Sequence, residues 1–171
     1  MKWRFAVKFL ISFAVLTVLW AGSDFGIHYR TAVLAVVQFL SPAVNGWILE
    51  HDQRGAIADI VFRSGTRALP MQLQLPALAM GLLPFASLVV ATPGQSVRRT
   101  AASVTLGSVL YFASDVILVL VYPLIMDRPN AIKDTLGVFS GLIVVVVAPL
   151  GLWFVLTYSA LRSLWQINQK Q

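Results

Sequence analysis

The chain has 171 residues, of which 58% are apolar and 12% are charged, and its mean hydropathy is +0.79. A soluble domain usually has about 25% charged residues, so this chain has too little polar surface to cover a water-soluble core. The net charge of +6 does not indicate a nucleic-acid partner, because the basic residues lie at the ends of apolar runs and not along one polar face. There is no cysteine, which excludes disulfides, thiolate metal sites and a cysteine nucleophile.

Positive and negative charges occupy different segments. All seven acidic residues lie between Asp24 and Asp134. The first 23 residues, the segment 92–99 and the tail after Ala160 carry only positive charge, on Lys2, Arg4, Lys8, Arg98, Arg99, Arg162 and Lys170. Because Lys and Arg are retained on the cytoplasmic side of a membrane protein, this pattern predicts that both termini and the segment 92–99 are cytoplasmic.

Four apolar segments are long enough to span a bilayer, which needs roughly 20 apolar residues. They are residues 3–21, 76–92, 102–126 and 136–161. Aromatic residues near their ends suit the membrane interface. We therefore predict a mainly α-helical membrane protein with four transmembrane helices in a single polytopic domain, and with membrane lipids as its surroundings.

The apolar segment Thr31–Leu49 is a candidate fifth span. Counting it would place Arg98, Arg99 and Arg162 outside, and Pro42, Asn45 and Gly46 interrupt it. The four-span arrangement is therefore preferred. Residues 27–40 are then predicted to form an extracytoplasmic helix, which either stands upright on the first span or lies on the membrane surface. Its apolar face consists of Val33, Val36, Val37 and Leu40.

The N-terminus also has the parts of a signal peptide. A basic lead, an apolar core and a small-residue site at Ala21-Gly22-Ser23 occur in that order. A retained membrane anchor is the preferred interpretation, and cleavage is the alternative.

Within the extracytoplasmic stretch 27–75, three short strands are predicted after the helix. They are Trp47–Asp52, Ala56–Arg63 and Ala68–Leu75, separated by turns at Gly55 and Gly65. Met71, Leu73 and Leu75 alternate with Gln72 and Gln74, which is the period of a half-buried strand. We expect a small β-meander packed on the helix or on the bilayer.

Asp115 is the most informative single residue, because it lies inside the third apolar segment. An ionisable group near the centre of a bilayer costs at least about 2.5–3.5 kcal/mol, so it normally faces protein or water. Ser108, Tyr111, Asp115 and Tyr122 share one helical face. This intramembrane polar face is typical of a hydrogen-bonded structural contact, of a contact with a partner helix, or of a proton or ion relay.

Three arginines, Arg54, Arg63 and Arg67, lie near the predicted turns and strand ends. They are candidates for contact with a phosphate, a carboxylate or a partner protein. The alternative is that they are solvated and offset by Glu50, Asp52 and Asp59. His28 and His51 lack metal-ligand spacing, so no metal or cofactor is predicted.

Gly137 and Gly141 form a GxxxG motif at the outer end of the fourth span. Such spacing lets a second helix approach closely, so these glycines are candidates for helix packing. The motif is common in apolar helices.

The order of these parts resembles the exosortase H-associated membrane proteins. The resemblance consists of the basic-aromatic start Met1–Lys8, an apolar outer stretch ending in Leu40-Ser41-Pro42, and strands leading into Met71–Pro76 directly before the second span. It implies a small bacterial inner-membrane protein that accompanies an exosortase, a protein-sorting transpeptidase. Exosortases use a cysteine nucleophile, so no catalytic residue carries over to this chain.

Three functions remain open. The leading one is a non-enzymatic accessory subunit that docks onto a larger membrane protein, for which an exosortase is one candidate. The second is an enzyme that acts on a lipid-linked substrate at the outer face, and the third is a small transporter component built around Asp115.

Overall fold

The computed structural model describes residues 2–54, 57–71, 79–127, 139 and 142–168, and their side chains except at 2, 51–54, 57–59 and 163–168. The chain is mainly helical. Its helices are α1 (Lys2–Ala21), α2 (Phe25–Val44), α3 (Leu82–Ala91), α4 (Val97–Met126) and α5 (Ala148–Asn168), and a π-helical segment (Ile143–Val147) leads directly into α5. Its strands are β1 (Ile48–Arg54), β2 (Ile57–Ser64) and β3 (Arg67–Pro70).

Within the described residues, three helical segments are long and apolar enough to cross a membrane: Trp3–Ala21, Val97–Met126 and Ile143–Arg162. The prediction of apolar spanning helices is confirmed to that extent. The predicted second span, 76–92, corresponds to α3, which has only ten residues. Ala79 and Met80, which precede Gly81, are also helical. Residues 72–78 lie outside the described part of the chain. A fourth crossing therefore stays a prediction.

The helix predicted over 27–40 is longer at both ends, because α2 runs from Phe25 to Val44. Pro42 lies inside this helix and does not interrupt it, contrary to the expectation from sequence. The helix ends one turn later, where the N–H groups of Asn45 and Gly46 both donate to the carbonyl of Ser41. Gly46 has φ of 73°, a left-handed conformation that glycine adopts without the steric cost of a side chain.

The predicted three-stranded sheet is confirmed. It is antiparallel in the order β1-β2-β3, and Leu49 pairs with Phe62, which pairs in turn with Leu69. The turn between β2 and β3 contains Gly65 at φ of 60°. β3 ends at Pro70, before the predicted end at Leu75, and residues 72–75 lie outside the described ranges.

The main core lies between α2, the sheet and the second half of α4. Buried positions on α2 recur at helical spacing, at Tyr29, Val33, Leu34, Val37 and Ser41. They meet Leu49, Ile60 and Phe62 from the sheet and Val116, Val119 and Leu120 from α4. We call α2 and the sheet, together with the half of α4 that they cover, the outer unit.

α3 and α4 approach each other through two glycines. A Cβ atom added to Gly107 would lie 1.9 Å from Cζ of Phe85, and one added to Gly81 would lie 2.2 Å from the hydroxyl of Tyr111. Each helix thus places an aromatic ring over a glycine of the other, and the order of the two contacts makes α3 and α4 antiparallel. Small residues allow this close approach between helices in a membrane, where packing and not water drives association.

The basic ends of the helices lie together. Phe5 of α1 packs on Trp153 of α5 with 6.3 Å between ring centroids, and Nε1 of Trp153 donates to Oγ1 of Thr92 at 2.9 Å. Arg99, at the start of α4, donates to the hydroxyl of Ser159 on α5. The first turns of α1 and α4 therefore lie at the same end of the helix bundle as the end of α3.

Candidate functional site

The carboxyl group of Asp115 joins α4 to α2. Its side chain is fully buried, and its Oδ2 accepts a hydrogen bond of 2.7 Å from the hydroxyl of Tyr29. Burial, together with the adjacent charge of Asp115, raises the pKa of the Tyr29 phenol far above its usual range. Tyr29 therefore stays a proton donor at any ordinary pH. Breaking a buried hydrogen bond of this kind costs free energy, because the polar group that remains has neither a partner nor water to bond with.

Two aromatic rings pack against the ring of Tyr29. The ring of Phe112 meets that of Tyr29 edge-on, with centroids 5.6 Å apart, and Phe25 lies on another side of Tyr29 at 6.3 Å. Edge-on contact is a favoured geometry for aromatic pairs and adds to the energy of burial. These ring contacts fix the side chain of Tyr29 in the orientation that directs its hydroxyl at Asp115.

Tyr111 lies one helical turn before Asp115, and its side chain is also fully buried. Its hydroxyl lies against the backbone of Gly81, in the space that the absence of a Cβ atom leaves. Among the described residues, neither this hydroxyl nor Oδ1 of Asp115 has a hydrogen-bond partner of normal geometry. Two buried polar atoms on successive turns of α4 thus retain unused hydrogen-bonding capacity.

The other two residues of the predicted polar face lie in different surroundings. Ser108 lines an apolar groove between α1, α3 and α4. Tyr122 contacts the sheet, where its hydroxyl donates to the carbonyl of Pro70 at 3.3 Å and its ring stacks on Phe62. The four residues share one helical side, but the structure brings only Tyr111 and Asp115 together around one buried point.

Asp115 lies far from the basic end of α4. At 1.5 Å per residue it is about 24 Å from Arg99, whereas the hydrocarbon core of a bilayer is about 30 Å thick. α4 has 30 residues, so it is about 45 Å long and extends beyond such a core. The depth of Asp115 in a bilayer, which the predicted span 102–126 puts near the centre, therefore depends on how α4 is placed and stays a prediction.

α2 is inclined to α4. Tyr29 reaches Asp115, and Asn45 donates from Nδ2 to the carbonyl of Leu120 at 2.8 Å. These contacts are about 24 Å apart along α2 but only about 8 Å apart along α4. α2 therefore does not stand alongside α4, and it carries the chain from the end of α1 across to the sheet.

The described arginines do not converge. Nε of Arg63 pairs with Oε2 of Glu50 on the neighbouring strand at 2.6 Å, and Nη1 of Arg67 pairs with Oδ1 of Asp127 after α4 at 3.3 Å. Each has its own carboxylate, and both side chains are more than half exposed. The side chain of Arg54 lies outside the described part of the chain, as do Gly137 and Gly141.

Comparison of the chain with models of protein families, with curated proteins and with solved structures found no match. The geometry above is therefore what bears on function. No group of three His, Asp or Glu side chains suited to a metal ion occurs among the described residues.

Sequence reasoning missed three residues that build this site. Tyr29 holds the Asp115 carboxyl, and Gly81 and Gly107 make the close contact of α3 with α4. The two glycines carried a signal, because Gly81 precedes Phe85 and Gly107 precedes Tyr111 by the same four residues. Tyr29 carried none, since its partner is far away in the sequence.

Proposed function

We propose that this chain is a non-enzymatic subunit of a bacterial inner membrane, which docks through its outer unit onto a larger membrane protein. In this proposal four helices cross the bilayer and both termini are cytoplasmic. The charge distribution supports that orientation, since the basic segments of α1 and α4 lie at one end of the bundle. The surface of the outer unit supports the docking.

The fourth crossing requires residues before α3. Because Gly81 lies at the level of Tyr111, α3 reaches from the basic end to a depth of about 18 Å. Ala79 and Met80 continue the helix beyond Gly81, and the remaining residues of the predicted span 76–92 lie outside the described part of the chain. This arrangement puts the sheet on the side opposite the Arg98–Arg99 turn.

Exposed apolar side chains on the outer unit are the observation on which the docking proposal rests. Phe39, Val44 and Ile48 are 83%, 60% and 57% exposed, and none of them lies in one of the three described helical segments long enough to cross a membrane. Exposed apolar surface away from such segments supports a site of interaction there. Ile48 begins β1, which is an edge strand, so main-chain groups for pairing with a partner strand lie beside it.

The alternatives have less support. An enzyme that grips a lipid phosphate needs its arginines around one cavity, but Arg63 and Arg67 are paired with separate carboxylates. A transporter needs a carboxyl group that exchanges with water, but Asp115 is fully buried and bonded to Tyr29. Both features favour a structural use of these residues.

An exosortase is the partner that the sequence resemblance implies. Only the order of the sequence features supports this identification, and the docking proposal does not depend on it. Separate purification experiments distinguish the docking proposal from the exosortase assignment.

Purification of the tagged full-length chain in a mild detergent tests the docking. We expect a stoichiometric membrane partner to be recovered with the wild type, and the double variant Phe39→Ala with Ile48→Ala to recover about tenfold less, a loss of 1.4 kcal/mol. The matched control is Val18→Ala with Val155→Ala, which changes exposed residues of α1 and α5 and should retain the partner.

A chain that purifies alone under these conditions contradicts the proposal. If the control variant loses the partner to the same extent, the docking surface lies on the spanning helices and not on the outer unit. Co-expression with an exosortase from the same organism tests the named partner separately. If that exosortase is not recovered while another membrane protein is, the exosortase assignment fails and the docking stands.

A further inference from the structure

An apolar groove of about 290 Å³ lies between the outer half of α1, α3 and α4. Its walls are Leu16 and Leu19 of α1, Leu83 and Ala86 of α3, and Ser108 of α4. Ser23 and Phe25 close it at the turn between α1 and α2. Phe25 also packs on Tyr29, and Leu82 follows Gly81, against which Tyr111 lies. The polar cluster around Asp115 is therefore next to this end of the groove.

The groove opens onto surface that faces lipid. No residue in the spanning window of α1 is buried, and Leu19, which lines the groove, is itself exposed. Ser108 is about 14 Å along α4 from Arg99. The closed end of the groove lies farther from Arg99 than Ser108 does, at the end of α1. In the proposed orientation the groove therefore occupies the outer half of the bilayer and opens sideways into it.

Its size and lining select the occupant. An α-helix with its side chains is about 10–12 Å wide and packs along an extended seam. A groove of this volume is instead at the lower end of the range for small-molecule sites, about 300–1,000 Å³. Apart from two serines, the lining is apolar or aromatic, so it offers little to a polar ligand or to a column of water.

We propose that the groove seats one acyl chain of an outer-leaflet phospholipid. The chain lies between the leucines of α1 and those of α3, and its far end passes Ser108 toward the middle of the bilayer. The headgroup lies above the turn that contains Ser23. This site depends on the helices crossing the bilayer, and not on the identity of any protein partner.

The seated chain extends a contact that already exists, because α1 packs closely along α3. α1 contributes Leu16 and Leu19 to one wall of the groove, and α3 and α4 are joined by the Phe85–Gly107 contact. A lipid in the groove extends the apolar contact of α1 with the rest of the bundle. Its loss should therefore loosen α1 before it affects the outer unit.

The test uses full-length protein in mixed detergent and phospholipid micelles. The probe is a phosphatidylglycerol that carries a photoreactive diazirine part-way along one acyl chain, and labelled peptides are mapped by mass spectrometry. We expect labelling concentrated on the segments 16–20 and 82–86, and we expect an excess of unlabelled phosphatidylglycerol to suppress it. Exposed positions of α5 such as Val155 should show weaker labelling that does not saturate.

The variant Ala86→Trp fills the groove and should reduce its labelling about tenfold, equivalent to 1.4 kcal/mol. The matched control is Ala113→Trp, at an exposed position of α4 outside the groove, which should label like the wild type. Uniform, non-saturable labelling of all lipid-facing helices in the wild type would overturn the proposal, and that measurement does not depend on whether Ala86→Trp folds. A photoreactive residue at position 83 that cross-links to a protein in cells would instead assign the groove to a partner.

Discussion

The outer unit and α1 bury apolar side chains in different surroundings. Val33, Val37 and Phe62 are completely enclosed by other side chains of the outer unit, whereas no residue in the spanning window of α1 is buried within the protein. The outer unit therefore has a protein core of the kind found in soluble domains, built on the second half of α4. α1 instead packs along α3 and leaves much of its apolar surface exposed, as suits a helix that crosses a membrane.

This difference indicates which contacts decide stability in each region. Burial from water stabilises the outer unit by about 25 cal/mol per Å² of apolar surface. Between helices surrounded by lipid that term is absent, so close packing and a few hydrogen bonds hold them together. The contact of α3 with α4 and the hydrogen bond of Asp115 are accordingly where single substitutions should be most informative.

The largest effect is expected for Gly107→Ala. The new methyl group would overlap the ring of Phe85, which has to move or push α3 away. Overpacking typically costs about 1–3 kcal/mol, and we expect the upper end of that range, measured as a lower midpoint of thermal unfolding in detergent. The control is Gly151→Ala on α5, where nothing lies within 4 Å of the added atom.

Combining Gly107→Ala with Phe85→Leu should recover part of the lost stability, because the shorter side chain leaves room for the methyl group. If Gly107→Ala is as stable as Gly151→Ala, α3 and α4 do not pack as described. The lipid-facing helices would then be held in some other way.

A smaller effect is expected for Tyr29→Phe, which removes the hydroxyl and leaves the ring in place. Asp115 then loses its only described hydrogen bond, and a buried polar group without a partner costs about 1–3 kcal/mol. Thermal unfolding of the purified chain measures this loss. Tyr158→Phe on α5 is the matched control, because Tyr158 is exposed and its ring contact with Phe154 is preserved.

The same bond can be tested from the other side. In a chain that already carries Asp115→Leu, the change Tyr29→Phe should cost much less than it does in the wild type. An equal cost in both backgrounds would mean that Tyr29 stabilises the outer unit through packing alone. Asp115 would then not link the outer unit to the membrane helices.

Sequence reasoning succeeded where the signal is local. The turn at Gly65 predicted the pairing of β2 with β3, and runs of apolar residues predicted three of the long helices. The alternation over 71–75 is untested, because four of its five residues lie outside the described ranges. Sequence reasoning placed Tyr111 and Asp115 on one side of α4 because helical periodicity is also local. Composition cannot reveal that Tyr29 approaches Asp115, since that pairing depends on how α2 is inclined after the turn at 22–24.

The same limit explains two further differences. The motif chosen for helix packing was Gly137 with Gly141, which lies outside the described residues, whereas the described close contact uses Gly81 and Gly107. The predicted third span runs from 102 to 126, whereas α4 already begins at Val97, and the depth of Asp115 in a bilayer stays a prediction.

The smallest effects are expected for Arg63→Ala and Arg67→Ala on the outer surface of the sheet. Both ion pairs are substantially exposed to solvent, and exposed pairs contribute about 0–1 kcal/mol. Because the two arginines bond to different carboxylates, their effects on the free energy of unfolding should add in the double variant. Glu50→Ala should reproduce Arg63→Ala, and combining the two should cost no more than either alone. A double variant of Arg63 and Arg67 that departs clearly from additivity would mean that both arginines bind one shared group, and the enzyme hypothesis would regain its basis.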